Sequence, residues 1–348
     1  MERRLFIKLA SLFIVALAGT KVLSGCSQQT TEPSTDQSQT ESPETASSEI
    51  DELVFGIIST ESQANQKPIW EPFIEAMSEE LGVTVKPFYV TQYAGVIEGM
   101  RAGNVDIAWF GGKSYIEAAE RANADAFAQT VNSDGTQGYY AYLITNRDNP
   151  IAQEVEGQNG DQYVIENASD ITFAFNDPNS TSGYLVPSYY IFAQNGVNPE
   201  AAFERLTFAG SHEATALAVA NNQVDVATNN SESLDRLQET NPEARDQIEV
   251  IWESVQIPSD PIAYREDLPE EIKQEIRDFF YGYSDPAVLE PLGWSNFVEA
   301  GDADWNPIRE LDIGEQILSV QNNQSLSEEE KQTQIEELNK QLEKIKGS

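Results

Sequence analysis

The stretch VIEGMRAGNVDIAWF, residues 96–110, runs from a helical pattern through Ala-Gly-Asn into a buried strand pattern. A second stretch, TALAVANNQVDVATN at residues 215–229, repeats this order with Asn-Asn at the turn. A helix, a short turn and a buried strand form the second half of a β-α-β unit. Two such units about 120 residues apart indicate two lobes of one design, although any two α/β segments share a general likeness.

Each unit has an apolar strand pattern upstream. ELVFGII occupies residues 52–58, and DITFAFN occupies residues 170–176. Apolar strands that alternate with helical patterns indicate parallel sheets covered by helices on both faces. We therefore predict an α/β protein of two lobes, each with a central, mainly parallel sheet flanked by helices.

The segment after the second strand pattern, DPNSTSGYLVPS at residues 177–188, combines turn residues, three hydroxyl side chains and a helical pattern. The pattern predicts a helix over residues 183–196 that ends at a C-cap glycine. Ser180, Thr181 and Ser182 would then lie at the helix N-terminus, where unpaired N–H groups and the helix dipole favour an anion. An ordinary N-cap has the same appearance, so the motif alone leaves both interpretations open.

The N-terminal residues predict export. Residues 1–25 have a basic start, an apolar run too short to span a bilayer, and small residues directly before Cys26, the only cysteine. We expect a lipoprotein signal peptide over 1–25, lipidation of Cys26, and a disordered tether over 26–50 that is poor in large apolar residues. A free thiol after an ordinary cleavage site is the alternative. The expected location is periplasmic or extracytoplasmic, with the protein lipid-anchored to the membrane.

The charge balance argues against nucleic acid as a partner. The chain has 21 basic and 58 acidic residues, a formal net charge of −37, whereas nucleic-acid phosphates need Lys and Arg for neutralisation. A small anion is compatible with this charge, because salt screens distant surface charges within about 8 Å. A single cysteine provides no disulfide and no cysteine-rich metal site. We expect no metal and no cofactor.

Four longer stretches occur in a characteristic order and spacing: TQYAGVIEGMRAGNVDIAWFGGKSY (91–115), DPNSTSGYLVPS (177–188), GSHEATALAVANNQVDVATNNSESL (210–234) and VIWESVQIPSDPIAYRED (250–267). Together they resemble the phosphonate-binding proteins of bacterial ABC transporters, and the resemblance covers nearly all of residues 52–285. It implies a type II periplasmic binding protein fold, in which two lobes joined by a two-strand hinge hold a ligand in the cleft between them. It also implies a non-enzymatic importer component with a permease and an ATPase as partners, and a monomer.

The same resemblance implies a set of ligand-binding residues. The helix-mouth hydroxyls would grip the phosphonate oxygens, with Tyr93 facing them and the histidine beside them, and two acidic positions would hold an amine. Tyr139 would line the amine side, although Tyr140 and Tyr142 compete for that role. Less certain roles fall to Ser114 and Tyr115. The implied set is Tyr93, Ser114, Tyr115, Tyr139, Ser180, Thr181, Ser182, His212, Glu232 and Asp260.

Two carboxylates near an anion are unfavourable unless a cation lies between them, so Glu232 and Asp260 favour 2-aminoethylphosphonate or a similar zwitterion. The alternatives are phosphite, methylphosphonate or phosphate. Structural roles also stay open: Glu232 could cap a helix, Asp260 could form an Asp-Pro turn, and His212 could be a buried structural histidine. Trp109, Phe110, Tyr184 and Tyr189 could line the cleft but fit core positions better.

We place lobe 1 at 51–142 plus 252–310, lobe 2 at 143–251 and a C-terminal helical segment at 311–348. The hinge is expected near 140–145 and 249–252, and residues 154–170 resemble a surface loop. In the C-terminal segment, Ser327 and Glu330 form a capping box, and an apolar face predicts a helix that packs back on a lobe or binds a partner.

Two other function classes remain. An exported phosphatase or esterase could use Ser180 or Ser182 as nucleophile, but the chain has one histidine and no Gly-x-Ser-x-Gly motif. A sensory module that presents a ligand to a receptor would share every binding feature. The sequence therefore favours a binding protein and does not separate transport from sensing.

Overall fold

The computed structural model describes residues 50–155 and 159–347. The predicted signal peptide, Cys26 and the predicted tether up to residue 49 lie outside the described residues. Eleven strands occur in this part of the chain: β1 (Glu52–Ile57), β2 (Thr84–Tyr89), β3 (Ile107–Trp109), β4 (Ala124–Asn132), β5 (Ala141–Asn146), β6 (Thr172–Phe175), β7 (Arg205–Phe208), β8 (Val226–Asn230), β9 (Ile248–Glu253), β10 (Pro261–Arg265) and β11 (Trp294–Glu299).

The α-helices of the same residues are α1 (Gln63–Leu81), α2 (Ala94–Arg101), α3 (Gly112–Ala122), α4 (Pro150–Glu154), α5 (Gly160–Glu166), α6 (Pro199–Ala202), α7 (His212–Ala220), α8 (Ser231–Thr240), α9 (Pro242–Asp246), α10 (Glu270–Gly282), α11 (Pro286–Leu289), α12 (Asn306–Asn322) and α13 (Glu328–Lys346). Wide π-helical turns occur at Thr181–Leu185 and Ser188–Phe192, and 3-10 turns at Ala168–Asp170, Ala193–Asn195, Glu290–Leu292 and Asp302–Trp305.

The strands form two sheets, one for each lobe. The first has the order β11-β4-β10-β3-β1-β2, and the second has the order β7-β6-β8-β5-β9. Both predicted β-α-β units are present: β1 and β3 pair in parallel in the first sheet, and β6 and β8 in the second. The predicted α/β fold of two lobes is therefore confirmed.

The sheets are mixed: most strands of each sheet run in one direction, as predicted, and the others run against it. In the first sheet β10 runs antiparallel to β3 and β4, and in the second β5 runs antiparallel to β8 and β9. The physical reason is the path of the chain. β5 and β10 each enter a sheet directly after the chain crosses from the other lobe, and they insert against the direction of their neighbours.

The two crossings lie side by side and form the two-strand connection. One runs through residues 133–140, between β4 and β5, and the other through 254–260, between β9 and β10. Tyr139 and Ile257 exchange reciprocal backbone hydrogen bonds of 3.0 and 2.8 Å. The predicted hinge segments, 140–145 and 249–252, lie almost entirely within β5 and β9, so the crossings are displaced from them by several residues.

Two local predictions have clear outcomes. The helical segment that begins at Thr181 ends at Gly196, which has φ +67° as a C-cap glycine requires. The predicted loop at 154–170 is wrong: it contains α5, and Gly160 packs so closely on β9 that a Cβ would lie 2.4 Å from the Ile251 carbonyl oxygen. The glycines and asparagines of this stretch concealed a packed helix.

The C-terminal helices have the predicted cap and apolar face. Ser327 and Glu330 make the reciprocal hydrogen bonds of a capping box. Leu338 is buried, and Ile335, Leu342 and Ile345 are half-buried on the same face of α13. α12, on which α13 packs, begins at Asn306, whereas the predicted segment begins at residue 311. The lobe boundaries stay a prediction.

Candidate ligand-binding site

A cavity of about 510 Å³ lies between the two sheets. Residues that follow the carboxyl ends of β1, β3, β6 and β8 line it, as expected of α/β sheets, whose ligands bind beyond the carboxyl ends of the strands. Eight of the ten predicted binding residues lie in its wall: Tyr93, Tyr139, Ser180, Thr181, Ser182, His212, Glu232 and Asp260.

The hydroxyl motif forms the start of a helix, as the sequence predicts. Ser180 is the N-cap, and its Oγ accepts a hydrogen bond of 3.0 Å from the Gly183 amide. The N–H groups of the first turn have no acceptor within the helix. Gly183 is required here, because a Cβ would lie 2.4 Å from the Cβ of Asn176. The first turn is therefore pressed against the end of β6 with its donors at the cavity.

All three hydroxyl oxygens already accept hydrogen bonds from the protein. Ser180 accepts from Gly183, Thr181 Oγ1 accepts from the Lys113 amide at 2.9 Å, and Ser182 Oγ accepts from Asn230 Nδ2 at 3.1 Å. A hydroxyl has one proton to donate besides its lone pairs. With their oxygens engaged as acceptors, the three hydroxyls can direct their protons at a bound oxyanion.

The first lobe adds a phenol and a helix N-terminus to this end of the cavity. Tyr93 is 2% exposed, and its hydroxyl lies 3.5 Å from Asn176 Nδ2. Burial raises the pKa of the Tyr93 phenol above its ordinary value, so the group stays protonated and able to donate. α3 begins at Gly112, and the Lys113 amide in its first turn reaches Thr181 across the cleft.

His212 is held in a neutral form. Burial lowers the pKa of its imidazole to about 3. Asn230 caps α8 by accepting the Ser233 amide at 2.7 Å through Oδ1, so its Nδ2 faces His212 Nε2 at 3.4 Å. Nε2 also lies 3.4 Å from Ser182 Oγ, and the tautomer of the ring decides which atom donates in these two contacts. His212 therefore supplies polarity at physiological pH and no positive charge.

Two carboxylates form the other end of the cavity. Burial raises the pKa of Glu232 to about 7, while the charge of Arg236 lowers it. Burial also raises the pKa of Asp260 well above its ordinary value, and the charge of Glu232 adds to this effect. Asp260 Oδ1 is buried and has no hydrogen-bond partner among the described residues. An acceptor so placed is costly unless a ligand donates to it.

Two of the structural alternatives are capping roles, and other residues fill them. Asn230, not Glu232, caps α8, and Ser211, not His212, caps α7. Asp260 lies at the end of the second crossing, directly before β10, and its carbonyl accepts the Thr130 amide at 3.1 Å. The side chains of Glu232 and His212 therefore do not cap these helices.

Aromatic side chains connect the two ends of the cavity. Tyr139 is buried, and the charges of Asp260 and Glu232 add to the effect of burial in raising the pKa of its phenol. Tyr140 and Tyr142 also line the cavity, in a more exposed part. Trp109, whose sequence pattern favours a core position, also lines the cavity. Two further tryptophans of the wall, Trp70 and Trp294, have ring centroids 5.3 and 5.8 Å from that of Trp109.

Ser114 and Tyr115 belong to the predicted ligand-binding set, but neither lines the cavity. Ser114 Oγ accepts the Gly111 amide at 3.0 Å and caps α3. The Tyr115 hydroxyl donates to Asp302 at 2.6 Å, and its ring packs on Trp305. Both side chains lie on the face of α3 that packs into the first lobe, so they shape the helix N-terminus without reaching a ligand.

Three residues that line the cavity were not predicted from the sequence. Asn230 orders Ser182 and His212, and Glu61 and Arg236 pair across the cavity at 2.7 Å. One signal was present: Arg236 follows Glu232 by four residues in a helical pattern, which places both on one face. Glu61 follows a strand in a Ser/Thr-rich stretch without any motif, so nothing marked it.

Two lobes joined by two adjacent crossings, with a polar cavity between them, define a periplasmic binding protein of the type II class. The chain matches the family model described as an ABC transporter, phosphonate, periplasmic substrate-binding protein over residues 55–305. The chain therefore belongs to this family of transporter substrate-binding proteins. The implied role is non-enzymatic and extracytoplasmic, and it entails a permease and an ATPase as partners.

Individual relatives agree with this assignment. A phosphonates-binding periplasmic protein of Escherichia coli (strain K12) is 46% identical over 308 residues, which cover 87% of this chain and 88% of the relative. The crystal structure of a binding protein component of an ABC phosphonate transporter from Pseudomonas aeruginosa is 46% identical, with a TM-score of 0.80 over 85% of this chain and 97% of that one.

A more distant structure supports the fold alone. PhnD1 from Prochlorococcus marinus (MIT 9301), solved in complex with methylphosphonate, is 23% identical and has a TM-score of 0.67 over 75% of this chain and 97% of that one.

Within the part of the chain that the structure describes, no helix combines the length and apolar character needed to cross a membrane.

Proposed function

We propose that the protein captures an aminoalkylphosphonate, with 2-aminoethylphosphonate as the favoured ligand, in the cavity between its lobes. The observation that carries the proposal is the division of the cavity into an end of neutral donors and an end with two carboxylates, the buried Asp260 and the half-buried Glu232. A phosphonate group fits the first end, and an ammonium group fits the second.

The donor end suits a doubly charged, three-oxygen group. Ser180, Thr181 and Ser182 supply hydroxyl protons, the first-turn amides supply further donors, and Tyr93 approaches from the other lobe. The single lysine of this region points elsewhere, because Lys113 Nζ pairs with Asp312 at 2.7 Å. Oriented neutral donors in a buried site stabilise an anion without any full positive charge.

The carboxylate end suits an ammonium group. The charge of Glu232 adds to burial in raising the pKa of Asp260, so a cation between the two carboxyl groups relieves both the repulsion and the unpaired acceptor at Asp260. Tyr139 and Trp109 lie beside this end and can cover the short carbon chain. Glu232, Asp260 and Tyr139 are thus proposed as the residues that select an amine.

A phosphonate without an amine, such as methylphosphonate, is the second candidate, and phosphite or phosphate would be variants of it. One observation favours this class. Burial raises the pKa of Glu232 to about 7, so in mildly acidic solution the carboxyl is neutral and tolerates an uncharged substituent. The two classes therefore differ in the charge that the carboxylate end must carry.

Transport requires closure and delivery. Ligand that bridges donors on both lobes favours the closed state through contacts that an open cleft lacks. The permease then receives the ligand from the closed form.

The same proposal includes lipidation of Cys26 with a tether to residue 50, a monomeric state and the lobe boundaries given above.

The test is isothermal titration calorimetry with 2-aminoethylphosphonate, methylphosphonate, phosphite and phosphate, with acetate as the control anion. We expect the amine-bearing ligand to bind most tightly and acetate not to bind. Prolonged incubation with each phosphonate and with a phosphate ester should leave every compound intact. Tighter binding of phosphate than of either phosphonate, or catalytic turnover, would contradict the proposal.

A further inference from the structure

We infer that Glu213 and Arg236 form a two-point clasp that holds the cleft closed and sets the rate at which bound ligand leaves. Both residues belong to second-lobe helices, and both grip the same first-lobe segment, residues 60–65, which connects β1 to α1. The inference rests on the proposed binding function and concerns contacts that join the lobes, two partners of which, Glu61 and Arg236, also line the cavity.

The first point of the clasp is Glu213, in the first turn of α7. Its carboxylate accepts the Ser62 amide at 2.6 Å and Asn65 Nδ2 at 2.7 Å, and its own amide donates to the Thr60 carbonyl at 3.2 Å. All three contacts join one lobe to the other. Glu213 does not line the cavity, so its carboxylate serves the closure and not the ligand.

The second point is Arg236, in α8. Its Nε pairs with Glu61 at 2.7 Å, and its two terminal nitrogens donate to the carbonyls of Pro291 at 2.6 Å and Leu292 at 2.9 Å. The Arg236 and Glu61 side chains are only 19% and 9% exposed. All of these acceptors belong to the first lobe. One side chain therefore fastens two separate first-lobe segments to the second lobe.

The clasp and the ligand site share the same helices. Glu213 directly follows His212 at the start of α7, and Arg236 lies one turn beyond Glu232 in α8. A ligand held by His212 and Glu232 positions both helices, and these helices carry the clasp to the 60–65 segment. Capture of ligand and engagement of the clasp are thereby coupled through two short rigid elements.

The clasp should act on dissociation. In the open cleft, Glu213 and Arg236 are solvated and do not hinder ligand entry. In the closed form, a largely buried ion pair must break before the ligand leaves. Truncation of one partner of a buried, hydrogen-bonded charge pair acts mainly on the dissociation rate. We therefore expect faster release with a nearly unchanged association rate.

The experiment measures association and dissociation of methylphosphonate and 2-aminoethylphosphonate by stopped-flow tryptophan fluorescence, since three tryptophans line the cavity. Arg236→Met should release both ligands on the order of 10- to 100-fold faster. Glu213→Ala removes exposed and half-buried hydrogen bonds and should release both ligands about 3- to 10-fold faster. Glu243→Ala is the matched control: it removes an exposed acidic residue from the first turn of α9, also in the second lobe. The control should leave both rates unchanged.

A double-mutant cycle separates the clasp from general loss of structure. Glu61→Gln should accelerate release in the wild-type background and have little further effect in the Arg236→Met background, because the interaction is then already absent. Release rates of Glu213→Ala and Arg236→Met within twofold of the control, or additive effects in the cycle, would overturn the inference. If the wild-type protein binds none of the phosphonates, the proposed function fails instead.

Discussion

The two ends of the cavity use opposite physical means. The donor end holds its groups in place through internal hydrogen bonds: Ser180, Thr181 and Ser182 each have a protein partner. The carboxylate end is unfinished, because Asp260 Oδ1 has no partner among the described residues and the charge of the half-buried Glu232 opposes ionisation of Asp260. The first end is ready for an anion, and the second lacks only a cation. Selection among phosphonates should therefore depend on the second end, and general affinity on the first.

The largest effect should come from removal of charge at the carboxylate end. Glu232→Gln leaves the bound ammonium without one of its two partners, which costs about 2 to 5 kcal/mol, or roughly 30- to 4000-fold in affinity. Methylphosphonate, which has no amine, should lose less than about threefold. Calorimetry with both ligands measures this contrast. Equal losses would show that Glu232 does not meet an amine and that the comparison between the two ends is wrong.

A change at the donor end should be smaller and should not discriminate. Ser182→Ala removes one hydrogen bond to a charged group, about 1.5 to 3 kcal/mol, so both ligands should bind roughly 10- to 150-fold more weakly. Ser114→Ala is the control, because Ser114 lies outside the cavity wall. Unchanged binding in Ser182→Ala would remove the hydroxyls from the anion site.

Acidification should weaken the amine-bearing ligand more than methylphosphonate. Burial raises the pKa of Glu232 to about 7, so its charged form is lost as the pH falls through 7. Affinity for 2-aminoethylphosphonate should then fall about tenfold for each further pH unit relative to methylphosphonate, whose phosphonate group titrates in the same range, and this excess loss should shrink in Glu232→Gln. His212, with a pKa near 3, stays neutral between pH 8 and 6 and makes no contribution. Titrations at pH 8 and pH 6 test the slope, and a rise in affinity on acidification would contradict it.

The smallest expected loss of affinity distinguishes Tyr139 from Tyr140 as the residue that lines the amine side of the ligand. Tyr139→Phe removes one neutral hydrogen-bonding group beside the carboxylates, about 0.5 to 1.5 kcal/mol, and should weaken 2-aminoethylphosphonate roughly 2- to 13-fold. Tyr140→Phe, at a more exposed position, is the matched control and should bind as the wild type does. The reverse order in competition binding would assign the role to Tyr140.

Local patterns predicted the elements that carry the site. The Ser-Thr-Ser-Gly helix mouth, both β-α-β units and the α13 cap follow from periodicity and capping chemistry, which depend on residues close in sequence. Contacts between distant residues were not predictable in this way. The roles of Ser114 and Tyr115 depend on which face of α3 packs inward, and the pairing of Glu61 with Arg236 depends on how one lobe meets the other.

Among the described residues, the helix mouth has no free cation, since Lys113 pairs with Asp312, and this affects how binding responds to salt. A site built on arginine or lysine loses affinity as salt screens its charge, whereas buried dipoles are screened far less. The molecular surface, with a net charge of −37, repels an incoming dianion most strongly in dilute solution. Added sodium chloride should therefore raise the association rate of methylphosphonate and leave its dissociation rate unchanged.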